Sequence, residues 1–162
     1  MASLGKQYLA NGFEPITYQG ELVYPNFSAD MAVGDRVRTT WLSAASPRVQ
    51  GLSLSLRIPD IGGAKGRGGL LRIEETEAPT IGYWMDTAPR VVEAECVKLK
   101  SGAELWISNR WRTDDGVEHE WLNNFGIKIE PITEDSVILH CSDGYGEPSF
   151  DDQVVRVDLI RN

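Results

Sequence analysis

The 162-residue sequence predicts an all-β fold: a single up-and-down antiparallel β-barrel of about 8–10 strands with one open mouth, a β-sandwich being the alternative closure. Three observations predict it. Short runs of β-branched and aromatic residues recur along the chain, each punctuated by turn residues. Helical character is confined to residues 2–10. No linker, repeat or low-complexity tail divides the runs, and the length suits one domain, residues 1–162, able to bury a core without staples.

Taken in order, residues 1–15 are an N-terminal arm or short helix. Strands follow at 16–24, 34–43, 48–58, 70–76, 80–86, 90–99, 103–113, 117–129, 136–142 and 153–161. The middle of the chain fixes a register. Asp114-Asp115-Gly116 is a three-residue loop with Gly last, which suits a type I turn plus a bulge. It sets Arg112 opposite Glu118 and Arg110 opposite Glu120, a favourable cross-strand pairing of charges. On the other face it sets Trp111 opposite His119, Asn109 opposite Trp121, Ile107 opposite Asn123 and Leu105 opposite Phe125. A turn at Ser101-Gly102 pairs Glu93 with Arg110. It sends Val92, Ala94, Cys96 and Lys98 to the same inner face, which Ile127 completes. A one-residue slip would put the Arg and Glu residues inside.

That inner face combines small residues (Ala94, Cys96), aromatics and polar groups (Asn109, Asn123, His119). Buried polar groups need partners. They serve either a packed core bonded to neighbouring backbone or a small-molecule pocket with polar anchors among aromatics. Alternating strand directions place the connections near 25–33, 59–69, 86–90, 113–116 and 143–152 at one end, and those near 44–47, 77–79, 100–102 and 131–135 at the other. The long loops then surround a mouth, with Trp111 and His119 beside it.

The charge balance excludes some partners. A net charge of −8 argues against a global attraction to nucleic acid or an anionic membrane. The stretch Arg36–Arg72 holds seven basic residues against Asp60 alone. It either lies beside acidic strands that neutralise it or forms a basic face for a protein partner. No apolar run approaches the roughly 18 residues of a membrane span, and no signal-peptide pattern opens the chain. Two cysteines fit a reducing compartment, so a cytoplasmic location is expected. Exposed edge strands would invite a homodimer.

The motifs are few. Pro59–Gly69 is glycine-rich and reads as a flexible hairpin loop or a lid over the mouth. It lacks the Gly-Lys-Ser/Thr and following helix of a phosphate-binding loop. In Glu118-His119-Glu120 the histidine points away from both glutamates, so no metal site is expected, and His119 is instead a general base or hydrogen-bond donor. Tyr83 and Trp84 alternate, so one of them points inward. Trp106 lies on the charged face as a cover. Ser142–Pro148 is an acidic loop from which Tyr145 and Glu147 reach over the mouth. No nucleophile elbow occurs, and Cys96 reads as an inert inward thiol.

This architecture resembles the calycin-like small-molecule barrels: lipocalin-like carriers and bacterial barrel cyclases of natural-product pathways. The resemblance is one of layout, since the lipocalin Gly-x-Trp is replaced by Thr39-x-Trp41. It implies a small, mostly apolar, carbonyl-containing molecule bound inside the barrel and cyclised or isomerised by shape and hydrogen bonding, without a cofactor. The expected catalytic groups are His119, Asn109, Asn123 and Tyr83. Trp111, Trp121, Phe125, Ile107, Ala94, Cys96 and Tyr145 line the ligand. A non-catalytic carrier or sensor, or a carbohydrate-binding sandwich using Trp84 and Trp106, are the alternatives.

Overall fold

The computed structural model describes residues 2–60 and 63–162. Helix α1 (Leu4–Ala10) starts at Ser3, whose side chain accepts from the Lys6 amide, a standard N-cap. The strands are β1 (Ile16–Tyr18), β2 (Glu21–Val23), β3 (Phe27–Ala29), β4 (Arg36–Ser43), β5 (Val49–Asp60), β6 (Gly63–Arg67), β7 (Gly69–Ile73) and β8 (Thr76–Ala78). They continue as β9 (Thr80–Trp84), β10 (Val91–Leu99), β11 (Glu104–Arg112), β12 (Glu118–Glu120), β13 (Asn124–Thr133), β14 (Ser136–Gly144) and β15 (Gln153–Ile160). Among the described residues no helix is long and apolar enough to cross a membrane.

Besides the β1–β2 hairpin there are two antiparallel sheets. One runs β13-β14-β15-β4-β10-β7-β8. The other runs β12-β11-β5-β6, with β3 also on β11 and β9 also on β5. The all-β antiparallel expectation holds, but neither sheet closes on itself and the order is not up-and-down. The chain changes sheet between β4 and β5 and again between β10 and β11. Glu93 therefore pairs with Arg38, not Arg110. A Ser-Gly turn signals that the chain reverses, not which edge it joins. Charge complementarity settles β10: Arg36 and Arg38 meet Glu93, and Arg72 meets Glu95 and Glu77. Much of the basic 36–72 stretch is neutralised in this way.

The Asp-Asp-Gly turn sets the register expected of it: Arg110↔Glu120, Trp111↔His119 and Arg112↔Glu118. The expected strand 117–129 then breaks. Trp121 and Asn123 adopt φ 55° and 54°, and β13 leaves for the other sheet. Leu105 and Ile107 pair with Ala29 and Phe27 instead. Asparagine tolerates the left-handed region better than most residues, which makes Asn123 a workable corner. Lys98 is not on the inner face, because a bulge between Cys96 and Lys98 shifts the β10 register and turns it outward.

The core lies between the sheets. Leu52, Leu54 and Leu56 of β5, with Leu105 and Ile107 of β11, pack against Val37, Leu71, Ala94, Cys96, Leu139, Val155 and Val157. Each fully buried leucine stabilises the fold by about 1.5–3 kcal/mol. At the seam where β12 and β13 part, α1 supplies the cover. Leu4 and Tyr8 pack on Trp111, Phe125 and Val23, the Gly5 amide donates to the Asn123 carbonyl at 2.7 Å, and Tyr8 Oη donates to the Phe125 carbonyl.

Connections 85–90, 113–117 and 145–152 gather at one end, as expected. Connection 44–48 joins them there. The glycine-rich segment does not: β5 and β6 pair towards Asp60↔Gly63 at the opposite end, with 100–103 and 134–135. The joint at Pro79 is a corner between β8 and β9 in different sheets, so β9 runs antiparallel beside β5. The additional reversal that brings this about is the β7–β8 hairpin at Glu74-Glu75, which the single strand expected over 70–76 lacked. The tip of the glycine-rich segment, residues 61–62, lies outside the described residues.

Candidate functional site: a carboxyl pair beneath an aromatic stack

The end where 44–48, 113–117 and 145–152 converge carries an unusual set of polar side chains. β14 ends in Ser142-Asp143-Gly144, and Asp143 is completely buried. Its carboxylate accepts from Ser46 Oγ at 2.5 Å, Arg48 Nε at 2.8 Å, Arg48 Nη2 at 3.1 Å, Gln50 Nε2 at 3.1 Å and the Tyr145 amide. Burial pushes its pKa up. Donation from Arg48, Ser46 and the Tyr145 amide outweighs burial and holds it below the usual carboxylate range.

Asp152 is the second member of the pair. Its Oδ2 accepts from the Asp143 amide at 3.0 Å, and 7% of its surface remains exposed. Burial and the Asp143 charge push it up to about 6, against the Asp143 amide and Arg48, which oppose the rise. Two neighbouring carboxyls with pKa values driven apart hold one proton between them below about pH 6, the arrangement that acid–base sites exploit.

Around the pair, polar side chains cross from sheet to sheet and close the apolar core. Asn109 Nδ2 donates to the Ser142 carbonyl, Gln153 Nε2 to the Gly51 carbonyl, and Trp41 Nε1 to Gln153 Oε1. Three atoms of this layer have no protein partner: Gln50 Oε1, Asn109 Oδ1 and Trp111 Nε1. Gln50 and Trp111 face each other across β5 and β11, and Asn109 is next on that face. A buried unmatched donor beside two unmatched acceptors costs about 1–3 kcal/mol per group unless something bridges them.

Above this layer the rings stack. Trp111 and His119 lie 6.0 Å apart at 22°, and Tyr145 meets His119 edge-on at 6.2 Å. The Arg48 guanidinium sits 4.4 Å from the Tyr145 ring centroid. Pro47, Arg48, Thr113, Asp114 and Tyr145 enclose a cleft of about 220 Å³. Gly144 makes the stack possible: a Cβ there would fall 2.5 Å from the Leu122 carbonyl and 2.9 Å from the Trp111 ring.

Of the residues expected at the site, Asn109, Trp111, His119 and Tyr145 come together here. Ile107, Ala94 and Cys96 are in the main core, and Phe125 is under α1. Burial pushes the Cys96 thiol up, which keeps it protonated. Tyr83 lies deeper, edge-on to Trp41 and 2.6 Å from Thr39 Oγ1; burial raises its hydroxyl pKa. Asn123 does not face inward but is an exposed corner, and Trp121 is half-buried against the α1 cluster rather than in the cleft, its ring edge-on to Phe13 with Arg57 beside it. Sequence reasoning missed Arg48, Gln50, Asp143 and Asp152. The segment around Asp143 read as solvated acidic loop, and its partner Arg48 lies 95 residues away. Among the described residues no cluster of His, Cys, Asp and Glu is arranged to hold a metal ion. The chain matches no protein-family model, no curated protein and no solved structure.

Proposed function

We propose that this protein binds a small carbonyl-containing organic molecule in the cleft over Arg48 and Tyr145 and moves a proton on it, as an isomerase or cyclase without a cofactor would. In this reading the two sheets act as the wall of a barrel-like scaffold with one working end. The observation that carries the proposal is the Asp143–Asp152 pair, with one acid held low and the other raised to about 6. Asp152 lies behind the residues that line the cleft, with 7% of its surface exposed; in this reading the ligand reaches that edge, and the ionised carboxylate accepts a proton from the carbon beside the carbonyl. Charge developing on the ligand oxygen falls near the Arg48 guanidinium, a fixed donor for such charge. Return of the proton to another carbon isomerises the ligand; in a ligand with a second carbonyl, attack of the enolate carbon on that carbonyl closes a ring, its π pair moving to the oxygen, which takes the proton back from Asp152. Tyr145 shapes the wall, with His119 edge-on to it.

A non-catalytic carrier would use the same cleft. The observation favouring it is that the Asp143 carboxylate is already taken up by Ser46, Arg48 and Gln50. Proton NMR in D2O separates the two readings. A panel of enolisable ketones and keto acids is incubated with protein, and loss of α-proton signal is followed. The expected result is exchange above the buffer rate for some members, reduced at least about tenfold in Asp152→Asn. Binding without exchange establishes the carrier, and neither binding nor exchange overturns the proposal.

A further inference from the structure

Of the seven basic residues from Arg36 to Arg72, four are taken up by carboxylates: Arg36, Arg38, Arg48 and Arg72. Arg57 and Arg67 form no ion pair among the described residues, and they stand directly opposite each other on β5 and β6. Like charges placed in this way oppose strand pairing, yet the chain keeps them while carrying a net charge of −8. The acid across β5 from them does not compensate. Glu104 lies opposite Arg57 on β11, and its Oε1 accepts from the Trp106 indole at 2.8 Å.

The register brings a third polar side chain to the same face. Thr80 on β9 pairs with Ser55, two residues before Arg57, and positions two apart on a strand share a face. β9 and β6 follow one another along one edge of β5. Where they meet is a cleft of about 190 Å³ lined by Leu56, Arg57, Gly66, Arg67 and Thr80. Gly66 adds no side chain, and the space where its Cβ would stand is open. Arg57 is fixed: its Nε donates to Ser55 Oγ at 3.1 Å, and its guanidinium lies 5.8 Å from the Trp106 centroid and 5.5 Å from that of Trp121. Its two Nη groups have no acceptor among the described residues. Arg67 and Thr80 are exposed.

We propose that this cleft binds a phosphate group, as the free dianion or as a monoester. Two guanidiniums offset its two charges, and their planar forks match its oxygens. The Thr80 hydroxyl adds a donor. A carboxylate brings one charge and leaves the other guanidinium uncompensated. The volume is well under the ~300 Å³ at which pockets for drug-sized ligands begin, so the phosphate enters and the body of an ester stays outside. Arg57 lies towards the far end of β5 from Arg48, so this site is separate from the cleft over the carboxyl pair.

The test is a titration of the full chain with inorganic phosphate, phenyl phosphate and acetate at constant ionic strength. It is run at pH ~7.5, where a phosphomonoester is largely dianionic, and followed by 15N–1H NMR of the backbone and of Arg57 Nε. The expected result is saturable shifts at Gly66, Thr80 and Arg57 with both phosphates at up to ~10 mM, and none with acetate. Affinity falls at least about tenfold in Arg67→Gln, through loss of a charged donor, and the exposure of that side chain spares the fold. Thr80→Val weakens binding to a lesser extent. Tighter binding of phenyl phosphate assigns the site to a monoester, and tighter binding of inorganic phosphate to the free ion; either supports the proposal. No saturable shift with either phosphate overturns it, as do equal shifts with acetate and phosphate shifts that persist unchanged in both Arg67→Gln and Thr80→Val.

Discussion

Replacing Asp152 by Asn tests the carboxyl pair through stability alone. In the folded chain this carboxyl is raised from 3.8 to about 6, and each pH interval of such a rise is worth about 1.4 kcal/mol. The limiting value is therefore about 3 kcal/mol. Water reaching the exposed edge of Asp152 reduces it to roughly 1–2 kcal/mol. The folded pKa lies above the unfolded one, so folding favours the protonated form. The stabilisation from this group is complete below about pH 4 and is lost as pH rises through about 6. Asn keeps an oxygen for the Asp143 amide, which now donates at 3.0 Å, and never ionises. Asp152→Asn should thus be more stable than wild type by roughly 1–2 kcal/mol at pH ~7.5 and no more stable at pH ~4. Urea unfolding followed by tryptophan fluorescence at the two pH values reads the difference. An equal loss of stability at both would refute the reasoning, because it would mean that Asp152 acts only as a hydrogen-bond acceptor.

Other substitutions test the remaining parts. Asp143→Ala leaves Ser46, Arg48 and Gln50 without their shared acceptor and should cost about 3–5 kcal/mol, read by urea unfolding, with the 44–48 connection losing amide protection. Gly126→Ala places a Cβ 2.5 Å from Tyr8 Oη and 2.6 Å from Val23 Cγ1. It should cost about 1–3 kcal/mol and release α1, seen as faster hydrogen exchange at residues 4–10. Leu54→Ala, at a fully buried position, should cost about 2–5 kcal/mol in the same unfolding assay without altering the pH dependence that Asp152 confers.

What the sequence made legible was local. Alternation along 103–113, with the Asp114-Asp115-Gly116 turn, was enough to pair Arg110 with Glu120 and Trp111 with His119, because turn length and side-chain period jointly fix register. Which sheet a strand joins is a non-local matter. Nothing near Ser101-Gly102 states that β10 goes to β4 while β11 goes to β5; the information lies in Arg36, Arg38 and Arg72, decades of residues earlier. The break at Trp121–Asn123 left a trace in the paired asparagines and the excessive length of the 117–129 run. β6 left none, since its glycines read as loop and only pairing with β5 makes them strand. The candidate site divides in the same way. Asn109, Trp111 and His119 followed from one hairpin, and Tyr145 from loop composition. Arg48 and Asp143 are brought together by the return of β14 beside the β4–β5 connection. A carboxylate flanked by Ser and Gly looks the same in sequence whether it is solvated or buried.

The account rests on one proton held unequally by two neighbouring acids. Carbon-13 NMR of the aspartate carboxyls, followed through a pH titration of the whole chain with Asp152→Asn and Asp143→Asn for assignment, measures it most directly. The expected result is one carboxyl titrating near pH 6, absent in Asp152→Asn, and a partner that titrates below the ordinary carboxylate value. A ligand bound over Arg48 should shift the first of these. Two carboxyls titrating together at the ordinary value of ~4 would contradict the account, leaving Asp143 and Asp152 as ordinary acids of a loop.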